Sequence, residues 1–251
     1  KVKIGMIGKY VDLADSYKSL NESLLHASVH NNNSLEIDFI DSEDITKKNI
    51  KRLKNLQGIV VPGGFGNRGV EGKILAANFA RINDIPYFGI CLGMQISVIE
   101  FARNILGLKD ANSTEFDLKT PFPVISLVTE WDDYKKGKLK GSLRQMGGTM
   151  RLGAQSCTLL KKTLAYSLYK KNIISERHRH RYEVNNKFVN KFNETDLVFS
   201  GYSGNKDLME MLELKHHPWY LASQFHPEFT SSPLKGHPLF NSFIKTAYET
   251  K

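Results

Sequence analysis

Apolar positions along the chain follow two rhythms. Short runs with few polar breaks, at residues 2–7 and 58–61, read as strands. The second, Gly58-Ile59-Val60-Val61, is apolar throughout, as expected where a parallel sheet is covered on both faces. Residues 35–40 alternate and read as a strand, as do residues 85–90. Between these lie helical patterns. Leu20, Leu24 and Leu25 mark a helix capped by Asp15 or Ser16, and Ile45, Ile50 and Leu53 mark one opened by Asp41 and Ser42. Residues 70–82 form a third. In 92–106, Val98, Ile99, Ala102, Ile105 and Leu106 recur at three- and four-residue steps. Strands alternating with helices predict a parallel sheet flanked on both faces.

The second half is less regular. Strands are predicted at 124–128, 149–160, 173–184, 197–201, 208–214 and 219–225, a polar Lys/Gly-rich loop at 132–144, and a closing helix at 239–248. No internal repeat and no linker divides the chain. The reading is one α/β domain over residues 1–251. Its central sheet is mostly parallel and flanked by helices, with extra strands in the C-terminal half.

Composition narrows the class. At 251 residues, 41% hydrophobic and 24% charged, the chain can bury a core and is not of the disordered type. Two cysteines, Cys91 and Cys157, make no disulfide framework, which favours a reducing, cytoplasmic setting. No apolar run approaches the roughly 20 residues of a spanning helix, and no signal-like segment leads the sequence. Neither membrane insertion nor glycosylation at Asn112-Ser113-Thr114 is therefore expected. The net charge of +9 comes largely from scattered lysines, which reads as a basic surface.

The candidate chemistry centres on Gly89-Ile90-Cys91-Leu92-Gly93, set between a predicted strand and a predicted helix. This is the cysteine form of a nucleophile elbow, in which small flanking residues permit a strained turn. The helix N-terminus favours thiolate and leaves Leu92 N–H free for a developing oxyanion. Strand 58–61 runs into Pro62-Gly63-Gly64-Phe65-Gly66, a loop whose backbone can approach a ligand closely. It is not a phosphate loop, because Gly72-Lys73 is followed by Ile74 and Asn67 stands where that motif needs Gly. His226-Pro227-Glu228 ends the strand at 219–225. It supplies an imidazole and a carboxylate to orient it. His178, His180, His216 and His217 compete for the same role. Taken alone, these residues also fit a γ-glutamyl hydrolase or a cysteine peptidase. The run Arg177-His178-Arg179-His180-Arg181 with the basic balance would fit a nucleic-acid module, although such a module leaves the elbow unexplained.

Pro-Gly-Gly, Gly-Ile-Cys-Leu-Gly-Met-Gln and Phe-His-Pro-Glu, in that order, resemble class I glutamine amidotransferase domains. The resemblance is closest to the glutaminase half of CTP synthases. It is carried by Gly5-Met6-Ile7-Gly8-Lys9-Tyr10, the segment 62–72, Asn112-Ser113-Thr114-Glu115-Phe116, Gly147-Gly148-Thr149-Met150-Arg151-Leu152-Gly153, the segment 176–185 and the segment 224–229. The resemblance implies a Cys91–His226–Glu228 triad that hydrolyses L-glutamine to glutamate and ammonia. It places the oxyanion on Gly64 and Leu92, with Gly93 and Met94 also against the substrate. Gln95 and Glu115 would hold the α-amino group and Arg181 the α-carboxylate. It implies no cofactor or metal in this domain, and no nucleic acid or membrane partner. Mg and ATP belong to an N-terminal synthetase domain that this chain does not carry, which uses the ammonia to turn UTP into CTP. It further implies GTP as an activator, with loop 132–144 and Arg68 as candidates for its site, and a homotetrameric whole enzyme.

Overall fold

The computed structural model describes residues 1–9, 16–127, 130–133, 137–140, 150–204 and 207–250. In chain order it contains β1 (Val2–Gly8), α1 (Lys18–His30), β2 (Leu35–Asp41), β3 (Gly58–Val61), α2 (Val70–Ile82), β4 (Tyr87–Ile90) and α3 (Leu92–Asn104). Then come β5 (Ala111–Ser113), β6 (Phe122–Leu127), β7 (Glu130–Asp133), β8 (Gly137–Lys140), β9 (Arg151–Leu159) and α4 (Leu164–Tyr169). The chain closes with β10 (Ile173–His180), β11 (Tyr182–Val184), α5 (Asn186–Phe192), β12 (Leu197–Ser203), β13 (Met209–Leu214), β14 (Tyr220–Ser223) and α6 (Pro238–Glu249).

Nine strands form one sheet in the order β10-β9-β12-β13-β14-β4-β3-β1-β2. From β14 to β2 every pairing is parallel; from β14 to β10 every pairing is antiparallel. The class is α/β as expected, and the extra C-terminal strands extend the parallel half as an antiparallel wing. Strand β14 is the hinge between the halves, in register with β4 through Tyr220–Tyr87 and Ser223–Ile90. Strands β3, β4 and β14 are buried along their whole length, as their unbroken apolar runs predict. One core packs α2 and α3 on one face of the sheet; a second packs α1 and α6 on the other. Phe88 anchors the second core, with ring centroids 5.3 Å from Trp219 and 5.0 Å from Phe240.

Several local expectations are corrected. Residues 42–55 form two 3₁₀ turns, Ser42–Asp44 and Ile50–Asn55, rather than one helix. The Asn49 side chain accepts from Thr46 N–H and donates to the Asp44 carbonyl, and such local bonds compete with a helical ladder. Helix α1 begins after Tyr17 with no side-chain cap, and Asp15 lies outside the described residues. Leu20 and Leu24 are buried, but Leu25 is exposed, one step around the helix from the packed face. Residues 173–184 are not one strand: β10 stays in the main sheet, while β11 joins β6 and β5 in a second. Part of the 132–144 loop is the β7–β8 hairpin; residues 134–136 and 141–149 lie outside the described residues. Helices α4 and α5 were not expected. Thr163 and Asn185 cap them, accepting from Tyr166 N–H and Lys187 N–H. Among the described residues no helix is long and apolar enough to cross a membrane.

Truncating the Phe88 ring in the aromatic core should be costly. Phe88→Ala is expected to lower unfolding free energy by about 3–5 kcal/mol, read from the midpoint of a denaturant melt at unchanged slope.

Candidate active site

Strand β4 delivers Cys91 to the carboxyl edge of the parallel half, where such sheets place their ligands. Cys91 has φ 54° and ψ −101°, a conformation an L-residue adopts only when its surroundings hold it there. The flanking glycines make that possible. A Cβ on Gly93 would come within 2.1 Å of the Val61 carbonyl oxygen, and one on Gly89 within 2.6 Å of the Gly93 carbonyl oxygen. Leu92 opens α3, ahead of the first bonds from Met94 and Gln95 N–H to the Cys91 carbonyl. Its N–H thus belongs to the helix-initial set that has no intrahelical acceptor.

Strand β14 leads into His226-Pro227-Glu228, a single 3₁₀ turn at Pro227–Phe229. His226 Nδ1 lies 2.7 Å from Glu228 Oε1, and the imidazole stacks on Phe229 at 5.3 Å. Its other nitrogen, Nε2, is buried without a well-formed hydrogen bond among the described residues. Burial alone would disfavour the imidazolium. Negative charge on Cys91 and the Glu228 carboxylate outweigh it and raise the His226 pKa to about 10.

Gly63 passes so close to the imidazole that a Cβ there would sit 2.8 Å from its Cε1. Pro62, Gly63, Gly64, Cys91, Arg179 and His226 line part of a cavity of ≈ 250 Å³. The glycine loop is pinned from two sides. Gly66 N–H donates to Glu115 Oε1 at 2.7 Å, and the Lys9 ammonium donates to the Phe65 carbonyl. Burial raises the Glu115 pKa, opposed by the Gly66 bond and by the charges of Lys9 and Arg181. Burial also lowers the Lys9 pKa, as does the Arg68 charge beside it. Lys73, buried on α2 close to the same charges, is lowered to about 8 chiefly by burial.

The structure thus brings Cys91, His226, Glu228 and Gly64 to one cavity, with Leu92 beside Gly64. Glu115 and Arg181 lie near one another beyond the glycine loop, outside the lining of that cavity. Gln95 is buried; its amide donates to the Tyr182 carbonyl at 2.8 Å and to Gln224 Oε1 at 3.3 Å. Gly93 and Met94 are likewise packed inward, Met94 within the core. Arg68 is engaged by Glu43, Asp41 and the Lys9 carbonyl. Of the competing histidines, His178 and His180 are buried on β10, and His216 and His217 line a separate cavity.

Two site residues escaped the sequence reading. The Arg179 carbonyl lies 4.0 Å from Cys91 Sγ, and the Gln224 amide 3.8 Å from it. Alternation along β10 sets the Arg179 side chain among the exposed odd positions, but it carries no signal for the carbonyl beside the thiol.

Comparison with known proteins identifies the family and the fold. Residues 12–246 match the sequence profile of the family described as glutamine amidotransferase class-I. The Trypanosoma brucei CTPS glutaminase domain with bound acivicin superposes with a TM-score of 0.89 at 38% identity, covering 99% of this chain and 94% of that one. A glutamine amidotransferase from Thermotoga maritima gives a TM-score of 0.55 at 11% identity, covering 99% and 96% of the two chains. One from Methylobacillus flagellatus gives 0.54 at 10% identity, covering 90% and 70%, so these two speak for the fold alone. With an elbow cysteine, a His–Glu pair facing it and the family profile spanning nearly its whole length, the chain belongs to the class I glutamine amidotransferases.

Proposed function

We propose that the protein hydrolyses the side-chain amide of L-glutamine through Cys91, His226 and Glu228. The observation that carries this is the His226–Glu228 contact at 2.7 Å beside the strained elbow at Cys91. Support for glutamine comes from the 38% identical relative, which holds acivicin, a glutamine analogue.

In this reading the Cys91 thiolate attacks the side-chain carbonyl carbon. Gly64 and Leu92 N–H groups receive the negative oxygen. His226 carries the proton at the outset and gives it to the departing ammonia. A γ-glutamyl thioester on Cys91 remains. The thioester is neutral, so the charge that held His226 high is gone and the imidazole can accept a proton from water. The resulting hydroxide attacks the thioester and glutamate leaves. Glu228 keeps Nδ1 as the donor side and aims Nε2 at the reaction throughout.

For substrate binding we assign the α-carboxylate to Arg181 and the α-amino group to Glu115, as a free amino acid offers one anion and one cation. Gln95 would shape this end of the site through the Tyr182 carbonyl, which accepts from its amide, rather than by open contact. The 38% identity to a CTPS glutaminase domain over nearly the full length supports a matching role here. The ammonia would pass to a synthetase domain that aminates UTP with ATP and Mg, under GTP activation, within a tetramer.

Removing the nucleophile tests the reading directly. Cys91→Ala should reduce ammonia release from glutamine by at least about 10³-fold while CTP formation from free ammonia by the assembled enzyme persists. Normal glutamine-dependent turnover by this variant would refute it. The ion pair is tested by titrating the His226 ring by NMR, with an expected midpoint near 10. Both Glu228→Gln and Cys91→Ala should lower the midpoint, because each removes a negative neighbour. The raised pKa also stabilises the fold fully below about 6.5, and this contribution is lost as pH rises towards about 10. The loss should shrink in Cys91→Ala.

A further inference from the structure

Next to the chain segment that carries Arg179 and Arg181 lies a buried group of five ionisable side chains. They are Arg151 of β9, His178 and His180 of β10, Glu183 of β11 and Glu210 of β13, none more than 2% exposed. Arg151 holds both carboxylates, with Nη1 2.6 Å from Glu183 Oε1 and Nη2 2.9 Å from Glu210 Oε1. His178 Nδ1 and His180 Nε2 are 2.8 Å apart. His180 Nδ1 lies 3.5 Å from Glu183 Oε1, and His178 Nδ1 3.7 Å from Glu210 Oε2. Burial raises the pKa of both carboxyls and lowers that of both imidazoles, with Arg151 adding to the fall.

Such a cluster is a poor way to stabilise a core. Desolvating its charges costs much of what their attraction returns, and well-packed apolar side chains of similar volume often do as well or better. Among the described residues several of its atoms, including Arg151 Nε, His178 Nε2 and Glu183 Oε2, also lack a hydrogen-bond partner. Its placement suggests a different role. His178 and His180 bracket Arg179, whose carbonyl faces Cys91 Sγ. Glu183 follows Tyr182, whose carbonyl takes the Gln95 amide. The Glu210 carbonyl accepts Gln224 N–H, and the Arg177 carbonyl accepts His226 N–H, each at 2.8 Å.

The chain turns a corner between His180 and Tyr182, leaving the nine-stranded sheet for the three-stranded one. Arg181 stands at that corner, its Nε buried without a hydrogen-bond partner among the described residues. A corner residue belongs to neither ladder, so neither sheet fixes its direction. The cluster ties β9, β10, β11 and β13 together across this gap. A guanidinium fork binds a carboxylate well only when aimed.

We propose that the Arg151–Glu183–Glu210–His178–His180 cluster is a positioning device that fixes the β10–β11 corner and so aims Arg181 at the α-carboxylate of the amino-acid substrate. The proposal deepens the glutamine reading above and rests on it.

The test reads occupancy of Cys91, as bound complex or thioester, rather than product formed. Iodoacetamide alkylates Cys91 without needing any charged group of a substrate, so protection by a ligand reports its occupancy; peptide mass separates Cys91 from buried Cys157. Glutamine is compared with glutaminamide, which keeps the side-chain amide and lacks the α-carboxylate. Glu210→Gln and Glu183→Gln keep shape and remove charge. Each should raise the half-protecting glutamine concentration about tenfold, with glutaminamide and the unprotected alkylation rate both within about twofold of wild type. A glutamine value within about twofold of wild type would overturn the proposal. So would a parallel shift for both ligands, or loss of the fold in both variants, since either marks a merely stabilising cluster. Wild-type Cys91 that glutamine does not protect would sink the glutamine reading, and this proposal with it.

Discussion

Cys91 sits in a backbone conformation that costs about 1–3 kcal/mol unless its surroundings over-determine it. The rest of the parallel half can be understood from how that cost is met. Gly89 must pass the Gly93 carbonyl, and Gly93 must pass the Val61 carbonyl, so β3, β4 and α3 meet with no room for a side chain. That close meeting places the end of β3, and hence the Gly63-Gly64 loop, against the thiol. The parallel pairing of β14 with β4 puts Ser223 level with Ile90, so the chain leaving β14 reaches the thiol with His226. One strained residue and three adjacent strands thus bring Cys91, the glycine loop and His226 together.

Electrostatics then gives the same residue type opposite roles a few ångströms apart. His226 lies against Glu228 and a cysteine that can carry charge, and it holds its proton to about pH 10. His178 and His180 are as deeply buried but lie beside the Arg151 guanidinium, and stay neutral. An imidazole charged by anionic neighbours is equipped for proton transfer; imidazoles kept neutral by burial and a nearby guanidinium are equipped to hold position. Part of the distinction comes from Arg151, a neighbour far off in sequence.

What the sequence made legible follows the same division. The elbow, the glycine loop and His226-Pro227-Glu228 are local motifs whose geometry is set by residues a few places apart, and each falls where expected. The helix at 70–82 was readable because its apolar period is unbroken. The break at Arg181 was not, because it depends on β11 finding β6, 55 residues earlier in register at Tyr182–Leu127. Nor was the antiparallel wing, since strand direction is a property of pairing. Residues 42–55 misled for the opposite reason: the side chain of Asn49 made local bonds that the apolar spacing does not record. Arg179 and Gln224 were missed because their roles run through a carbonyl and an amide beside Cys91 rather than through a motif.

The central claim is that Cys91 becomes covalently bonded to the substrate's acyl group. Rapid mixing with glutamine, an acid quench and peptide mass spectrometry would test it most directly. The account predicts one γ-glutamyl group on the peptide containing Cys91, released by hydroxylamine as a thioester should be. Ammonia release with no adduct on Cys91 under a quench that preserves thioesters, or with the adduct on Cys157, would contradict it.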